Sequence, residues 1–295
     1  MMEFLHLLLH TAWHSLLDAA KLIPFLFLTY LLMEFLEHRE GERTERYLRN
    51  AGKVGPLVGG ALGILPQCGF SAAASSLYAG RVITSGTLIA IYLSTSDEML
   101  PILISSAAPL PFILKILATK LIVGMVCGFA VDLIARKRGK QSADASQIDA
   151  MCERDGCACE GGILRSAIKH TLQIGLFVLL FTFLMDLAVE LIGEDKLGAV
   201  LSGRPVIGNL LAALLGLVPN CAPSVILTKL CLEGILPVGA MLSGLLVNAG
   251  IGTALLLRNN RPLSDSLRIL AILLGVGIGV GILVDLTPLQ AILGL

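Results

Sequence analysis

Hydrophobic residues run along this chain in long blocks. Four blocks, about 8–36, 110–135, 165–193 and 264–285, meet or exceed the roughly 20 apolar residues a helix needs to cross a bilayer. Two more, about 84–106 and 235–257, carry a polar break near the middle. Four shorter pieces, about 54–65, 69–80, 205–218 and 222–233, are too short to cross alone. They come in pairs, each joined by a Pro-containing turn, and so predict two helical hairpins, re-entrant or tilted. A backbone turn exposed to lipid leaves N–H and C=O groups unpaired, so both turns are expected to be buried or to line a cavity.

The order of elements repeats: long helix, hairpin, broken helix, long helix, then the same again. Gly63-Ile-Leu-Pro66-Gln67-Cys68 aligns with Gly216-Leu-Val-Pro219-Asn220-Cys221, and Gly86 with Gly239 at the same offset. Ser71 lies near Ser224. In the first helices His14 pairs with His170 and Glu34 with Glu190, after a small change of offset. The expected division is therefore a first membrane repeat over 1–138, a connecting loop over 139–162 and a second membrane repeat over 163–295. Internal repeats with corresponding interrupted segments are a mark of secondary transporters, and the interruptions point to the binding site.

Composition agrees. Of 295 residues 55% are hydrophobic and 15% charged, against about 25% charged in soluble domains. Net charge is zero, so nothing points to nucleic acid. No Lys or Arg precedes the first apolar run, which is long for a signal peptide and reads as a membrane helix. Arg and Lys gather in 37–53, 136–165 and 258–268, whereas 105–111 has none and 194–204 has two. The positive-inside rule then places the first three loops in the cytoplasm and both termini outside. Each half crosses an odd number of times, which makes the repeats inverted. The expected fold class is an all-α polytopic protein of the cytoplasmic membrane.

The polar residues are the candidate chemistry. Ser94-Thr95-Ser96-Asp97-Glu98 interrupts the third segment, and adjacent carboxylates in a span are costly unless paired or wet. Asn248 aligns with Thr95 and Gly250 with Asp97, so the carboxylates occur in one half only. The bland alternative is a helix break at the water interface. Cys68 and Cys221 hold equivalent hairpin-tip positions and, as thiolates, suit soft ions; otherwise each is a small buried hydrophobe. Gln67 and Asn220 beside them can hydrogen-bond an oxygen-bearing substrate. In the central loop Cys152, Cys157 and Cys159 stand among Glu153, Asp155 and Glu160. The spacing is not that of a zinc finger, but the group can hold a soft cation; the alternative is a linker with incidental cysteines.

Other polar residues read more simply. His6, His10, His14 and Asp18 form one helical stripe, read as an interfacial polar face before an exit path for metal. Asp186, Glu190 and Glu34 belong near membrane boundaries. Lys115, Lys120, Lys169 and Lys229 are expected to snorkel. No phosphate-binding G-x-x-x-x-G-K-[ST] loop and no nucleophile triad signature occurs.

The stretches "IPFLFLTYLLMEFLEHREG", "GILPQCGFSAAASSLYAGRVITSGTLIAIYLSTSDEMLPIL", "MCERDGCACEGGILRSAIKHTLQI" and "GLVPNCAPSVILTKLCLEG" resemble the ten-helix heavy-metal exporters, variously labelled arsenic efflux proteins or manganese transporters. The similarity covers essentially the whole chain, and the two Pro-amide-Cys turns are its most specific motifs. It implies ten membrane segments, each hairpin counting as two.

The function expected is a secondary transporter that exports a metal or metalloid, driven by a proton or ion gradient. No cofactor is expected beyond the transported ion, and the expected partners are membrane lipid and that ion, with a homo-oligomer left open. Substrate would meet Gln67, Cys68, Ser71, Ser94, Ser96, Asp97, Glu98, Asn220, Cys221, Ser224 and Asn248. Mn(II) would depend on the carboxylates and trivalent arsenic on the thiols. Two further classes compete: an exporter of a small organic solute or anion, and a membrane enzyme using Asp97 and Glu98 as acid and base. The repeat argues against the enzyme, since an active site has no need of alternating access.

Overall fold

The apolar blocks become helices that begin and end where the sequence supplies a cap, a proline or a glycine. The computed structural model describes residues 54–64, 68–96, 98–137, 163–192 and 205–287, with scattered helical positions between Trp13 and Leu31. Among the described residues all regular structure is helical. The first hairpin is α1 (Val54–Gly63) and α2 (Cys68–Ala79). The first broken helix is α3 (Ser85–Ser94) and α4 (Met99–Ser105), followed by the long helix α5 (Leu110–Lys137). After α6 (Ile163–Ile192) come the second hairpin, α7 (Pro205–Gly216) and α8 (Ala222–Leu232), and the second broken helix, α9 (Val238–Val247) and α10 (Ile251–Asn259). The long helix α11 (Leu263–Leu286) closes the order.

Local chemistry explains the boundaries. Thr84, in extended geometry, accepts the N–H of Thr87 on its hydroxyl and so caps α3. Pro237 and Pro262 precede α9 and α11, where a missing N–H leaves no helical bond unmade. Arg136 and Lys137 lie in the last turn of α5, at its negative end.

The two interruptions have different causes. In the first, Ser94 and Thr95 turn their hydroxyls back onto the carbonyls of Ala90 and Ile91, which competes with straight helix. In the second, the side chain of Asn248 accepts the N–H of Gly250, whose φ of 53° and ψ of −141° suit a residue without a Cβ.

Among the described residues four stretches are long and apolar enough to cross a membrane: Ser85–Ser105, Leu110–Lys137, Val238–Asn259 and Leu263–Leu286. They match the runs expected at 84–106, 110–135, 235–257 and 264–285. The run expected at 165–193 is the helix α6, and the four short pieces are α1, α2, α7 and α8. The run at 8–36 lies mostly outside the described residues, and the loop at 139–162 wholly so.

Packing pairs α3 with α5 and α9 with α11, and lays α7 on α9. The second arm of each hairpin crosses to the other half: α2 packs on α10, and α8 on α4. One apolar cluster joins Leu88, Tyr92 and Leu93 of α3 to Leu246, Ala249 and Leu256. Another joins Met99 and Leu103 of α4 to Ile226, Leu227 and Leu230 of α8. Outward, α6 exposes Leu172, Leu176, Leu180 and Leu184 at a spacing of four, and α5 exposes Ile122, Val126, Phe129 and Leu133. In water such stripes would be a liability, whereas hydrocarbon is their natural solvent.

Candidate functional site

Two carboxylates anchor the broken helices. Asp132 of α5 accepts the N–H of Gly86 at 2.8 Å and the hydroxyl of Thr84 at 2.7 Å. Asp285 of α11 accepts the N–H of Gly239 at 2.9 Å and the amide of Asn209 at 2.7 Å. Both backbone bonds span 46 residues. They fall at the offset that relates Gly86 to Gly239, so one contact recurs in both halves. Each carboxylate sits at the first turn of its broken helix, where unpaired N–H groups and the helix dipole favour negative charge. The helices touch there with no room for a side chain: a Cβ on Gly86 would meet the carbonyl of Gly128, and one on Gly239 that of Gly281.

The opposite ends of these anchored helices hold the interruptions. Ser94 and Ser96 are buried, and Ser96 donates to the carbonyl of Ile64 at the end of the first hairpin arm. Glu98 is half-buried just past the break, and Asp97 lies outside the described residues. In the other half α9 stops at Val247, so the carbonyl of Leu245 lacks the N–H that a continuing helix would bring. The ammonium of Lys120, from α5, fills that place at 2.6 Å. Lys120 is 1% exposed, so it does not snorkel as the sequence suggested. Lys115, Lys169 and Lys229 are exposed.

A polar knot ties the halves together. Ser75 of α2 contacts its own helix at the carbonyl of Ser71, the hydroxyl of Tyr92 on α3 and the carbonyl of Gly252 on α10, at 2.6, 2.6 and 2.8 Å. Tyr92 also donates to Gly252 at 3.0 Å. Ser71 is fully buried, and its backbone abuts Gly252 so closely that a Cβ there would collide. In the other half Thr228 bonds the carbonyl of Ser224 at 2.6 Å, as Ser75 bonds Ser71.

At the second hairpin tip Asn220 is buried and its side-chain oxygen accepts the N–H groups of Cys221 and Ala222 just ahead of α8. Cys221 is half-buried and in no disulfide, and Ser224 donates to its carbonyl. Cys68 begins α2. Gln67, the side chain of Cys68, Asp97, and Cys152, Cys157 and Cys159 lie outside the described residues. Among the described residues no three His, Cys, Asp or Glu side chains come together as a metal site.

Residues 8–158 and 140–256 match the family model ArsP_2, described as "Putative, 10TM heavy-metal exporter". The chain belongs to this family. Among curated proteins none matches the chain, and among solved structures none does. Within this ArsP_2 chain, sequence reasoning found the interruptions and the Pro-amide-Cys turns. It passed over Asp132, Asp285, Asn209 and Tyr92. A signal for the aspartates existed: each is an acid in an apolar span, and the offset that pairs Gly86 with Gly239 pairs them too.

Proposed function

We propose that this chain is a secondary transporter that exports a metal or metalloid across the cytoplasmic membrane by alternating access, with its two halves as inverted repeats. The observation that carries this reading is the exchange of hairpin arms, α2 onto α10 and α8 onto α4. It brings each hairpin beside the interruption of the other half, so a site between the interruptions touches both halves and can be opened by moving one against the other. Recurrence of the Asp–Gly anchor at a constant offset supports the repeat. Arg and Lys clustering supports both termini outside.

The substrate ligands in this reading are Cys68 and Cys221 for a soft ion and Asp97 and Glu98 for a hard one, with Gln67, Ser71, Ser94, Ser96, Asn220, Ser224 and Asn248 around them. Cys152, Cys157 and Cys159 would collect the ion from the cytosol. The test is metal content in efflux-deficient cells that express the chain, challenged with Mn(II), Zn(II), arsenite and methylarsenite. Wild type is compared with Cys68→Ser/Cys221→Ser and Asp97→Asn/Glu98→Gln. Lowered arsenic that needs the cysteines supports the soft-ion form, and lowered manganese that needs the carboxylates the hard-ion form. Unchanged content of every metal, with expression verified, defeats the reading.

A further inference from the structure

Asn248 occupies the second interruption and is 3% exposed. Its orientation is fixed by chemistry. The N–H of Gly250 donates to the side-chain oxygen at 2.8 Å, and an N–H must meet an oxygen, so the other end of the amide is the NH2. That nitrogen is buried and has no hydrogen-bond partner. Buried donors are almost always paired, and an orphan calls for an explanation. Asn248 is the C-cap of α9 and stands two residues before Gly250, the N-cap of the nine-residue α10, whose positive dipole end also favours an electron-rich guest.

The other half shows that the orphan is no necessity of the fold. At the matching position Thr95 spends its hydroxyl on the carbonyl of Ile91 at 2.7 Å. Polarity is thus divided between the interruptions. The first carries Asp97 and Glu98, which accept. The second carries the Asn248 amide, which donates, with the Lys120 ammonium one turn back on Leu245.

We propose that Asn248 is a specificity-determining residue of the transport site: its NH2 donates to an oxygen that the transported species itself carries, as hydroxide or oxo group. The inference rests on the exporter reading and deepens it. An amide nitrogen has no lone pair to give a metal, so Asn248 meets the ion only through an oxygen acceptor. Water bound to a divalent cation has committed its lone pair and presents hydrogens, so an aquo cation faces this donor badly. A hydroxylated metalloid offers its oxygen lone pairs to Asn248.

The test uses the purified full-length chain in phosphatidylcholine–phosphatidylglycerol vesicles. Arsenite is the hydroxide-bearing probe and Mn(II) the aquo cation. Asn248→Asp keeps the shape and the oxygen that meets Gly250 but removes the donor. Asn248→Thr installs the residue of the other half and carries the test if the aspartate variant does not fold. We expect wild type to move arsenite faster than Mn(II), and either variant to lose at least about tenfold more in arsenite rate than in Mn(II) rate. Arsenite moved at the wild-type rate by the folded variant overturns the proposal. Wild type that moves Mn(II) but not arsenite overturns it while the exporter reading stands. If wild type moves neither probe above protein-free vesicles, the reading falls and the proposal with it.

Discussion

The ammonium of Lys120 meets the backbone oxygen of Leu245 at 2.6 Å, and the two residues belong to different halves of the chain. A helix interrupted inside a membrane protein leaves carbonyls that no water can satisfy, and here a cation from a neighbouring helix does so. Lys120→Met keeps the length and removes the donor. We expect a loss of about 1–3 kcal/mol, the usual cost of leaving one buried polar group unpaired. It is read as a lower unfolding temperature in detergent, and a stability equal to wild type would show that Leu245 needs no partner.

Asp132 and Asp285 make the same bond in the two halves, but Asp132 is 2% exposed and Asp285 half-buried. Alanine at either should lower stability. The larger effect belongs to Asp132, because Gly86 and Thr84 would lose their acceptor where water cannot replace it. Chemical denaturation of the two single variants and the double variant orders them.

Gly86 and Gly239 mark the closest approaches of α3 to α5 and of α9 to α11. An added methyl group meets a backbone carbonyl and the anchoring carboxylate in both places, and the carbonyl cannot swing aside as a side chain can. Gly86→Ala and Gly239→Ala should each cost about 1–3 kcal/mol or more, the range of overpacking. Folded yield by size-exclusion chromatography reads it out, and normal yield from both variants would contradict the described contact.

Arg81 pairs with Asp265 at 3.3 Å and holds a φ of 58°, unusual for a residue with a Cβ. At the matching position of the other half stands Gly234, with a φ of 74°. Replacing Arg81 by glycine removes a partly exposed ion pair, a bond to the Arg261 carbonyl and a contact over the Tyr78 ring, together worth about 1–2 kcal/mol, and relieves a strain of about 1–2 kcal/mol. The two offset each other, so Arg81→Gly should leave stability within about 1 kcal/mol of wild type. Arg81→Ala keeps the strain and loses the pair, and should be the less stable of the two.

Tyr92 and Ser75 share a bond of 2.6 Å inside the knot that links the halves. Tyr92→Phe and Ser75→Ala should therefore be non-additive. A double-mutant cycle on unfolding free energy should return a coupling of about 0.5–1.5 kcal/mol. A coupling of zero would mean that each hydroxyl is held by backbone alone.

Hydropathy made the elements legible because a lipid solvent enforces length: a crossing helix must be long and apolar, and a short run must double back. The interruptions were legible as polar residues in apolar blocks. What a helix does with its buried face was not. Lys120 has the composition of a snorkelling residue, and only the position of Leu245 explains why it turns inward. Asn220 reads as a substrate amide, and only the turn at Val218–Cys221 shows that its oxygen also accepts the N–H groups of Cys221 and Ala222. Asn248 and Thr95 look interchangeable in an alignment. They differ because one side chain bonds back to its own helix and the other bonds forward across a glycine.

The exchanged arms also bear on how the chain is made. The second arm of the first hairpin, α2, leaves the ribosome long before α10, the surface on which it packs. During that interval Ser75 keeps Ser71 and Tyr92 but lacks the carbonyl of Gly252, its partner on α10. The first half must therefore wait, held by the Asp132 anchor and the contact of α3 with α5, until the last quarter of the chain arrives. Assembly is completed late and all at once, and a chain truncated before residue 251 would be inserted yet unfinished.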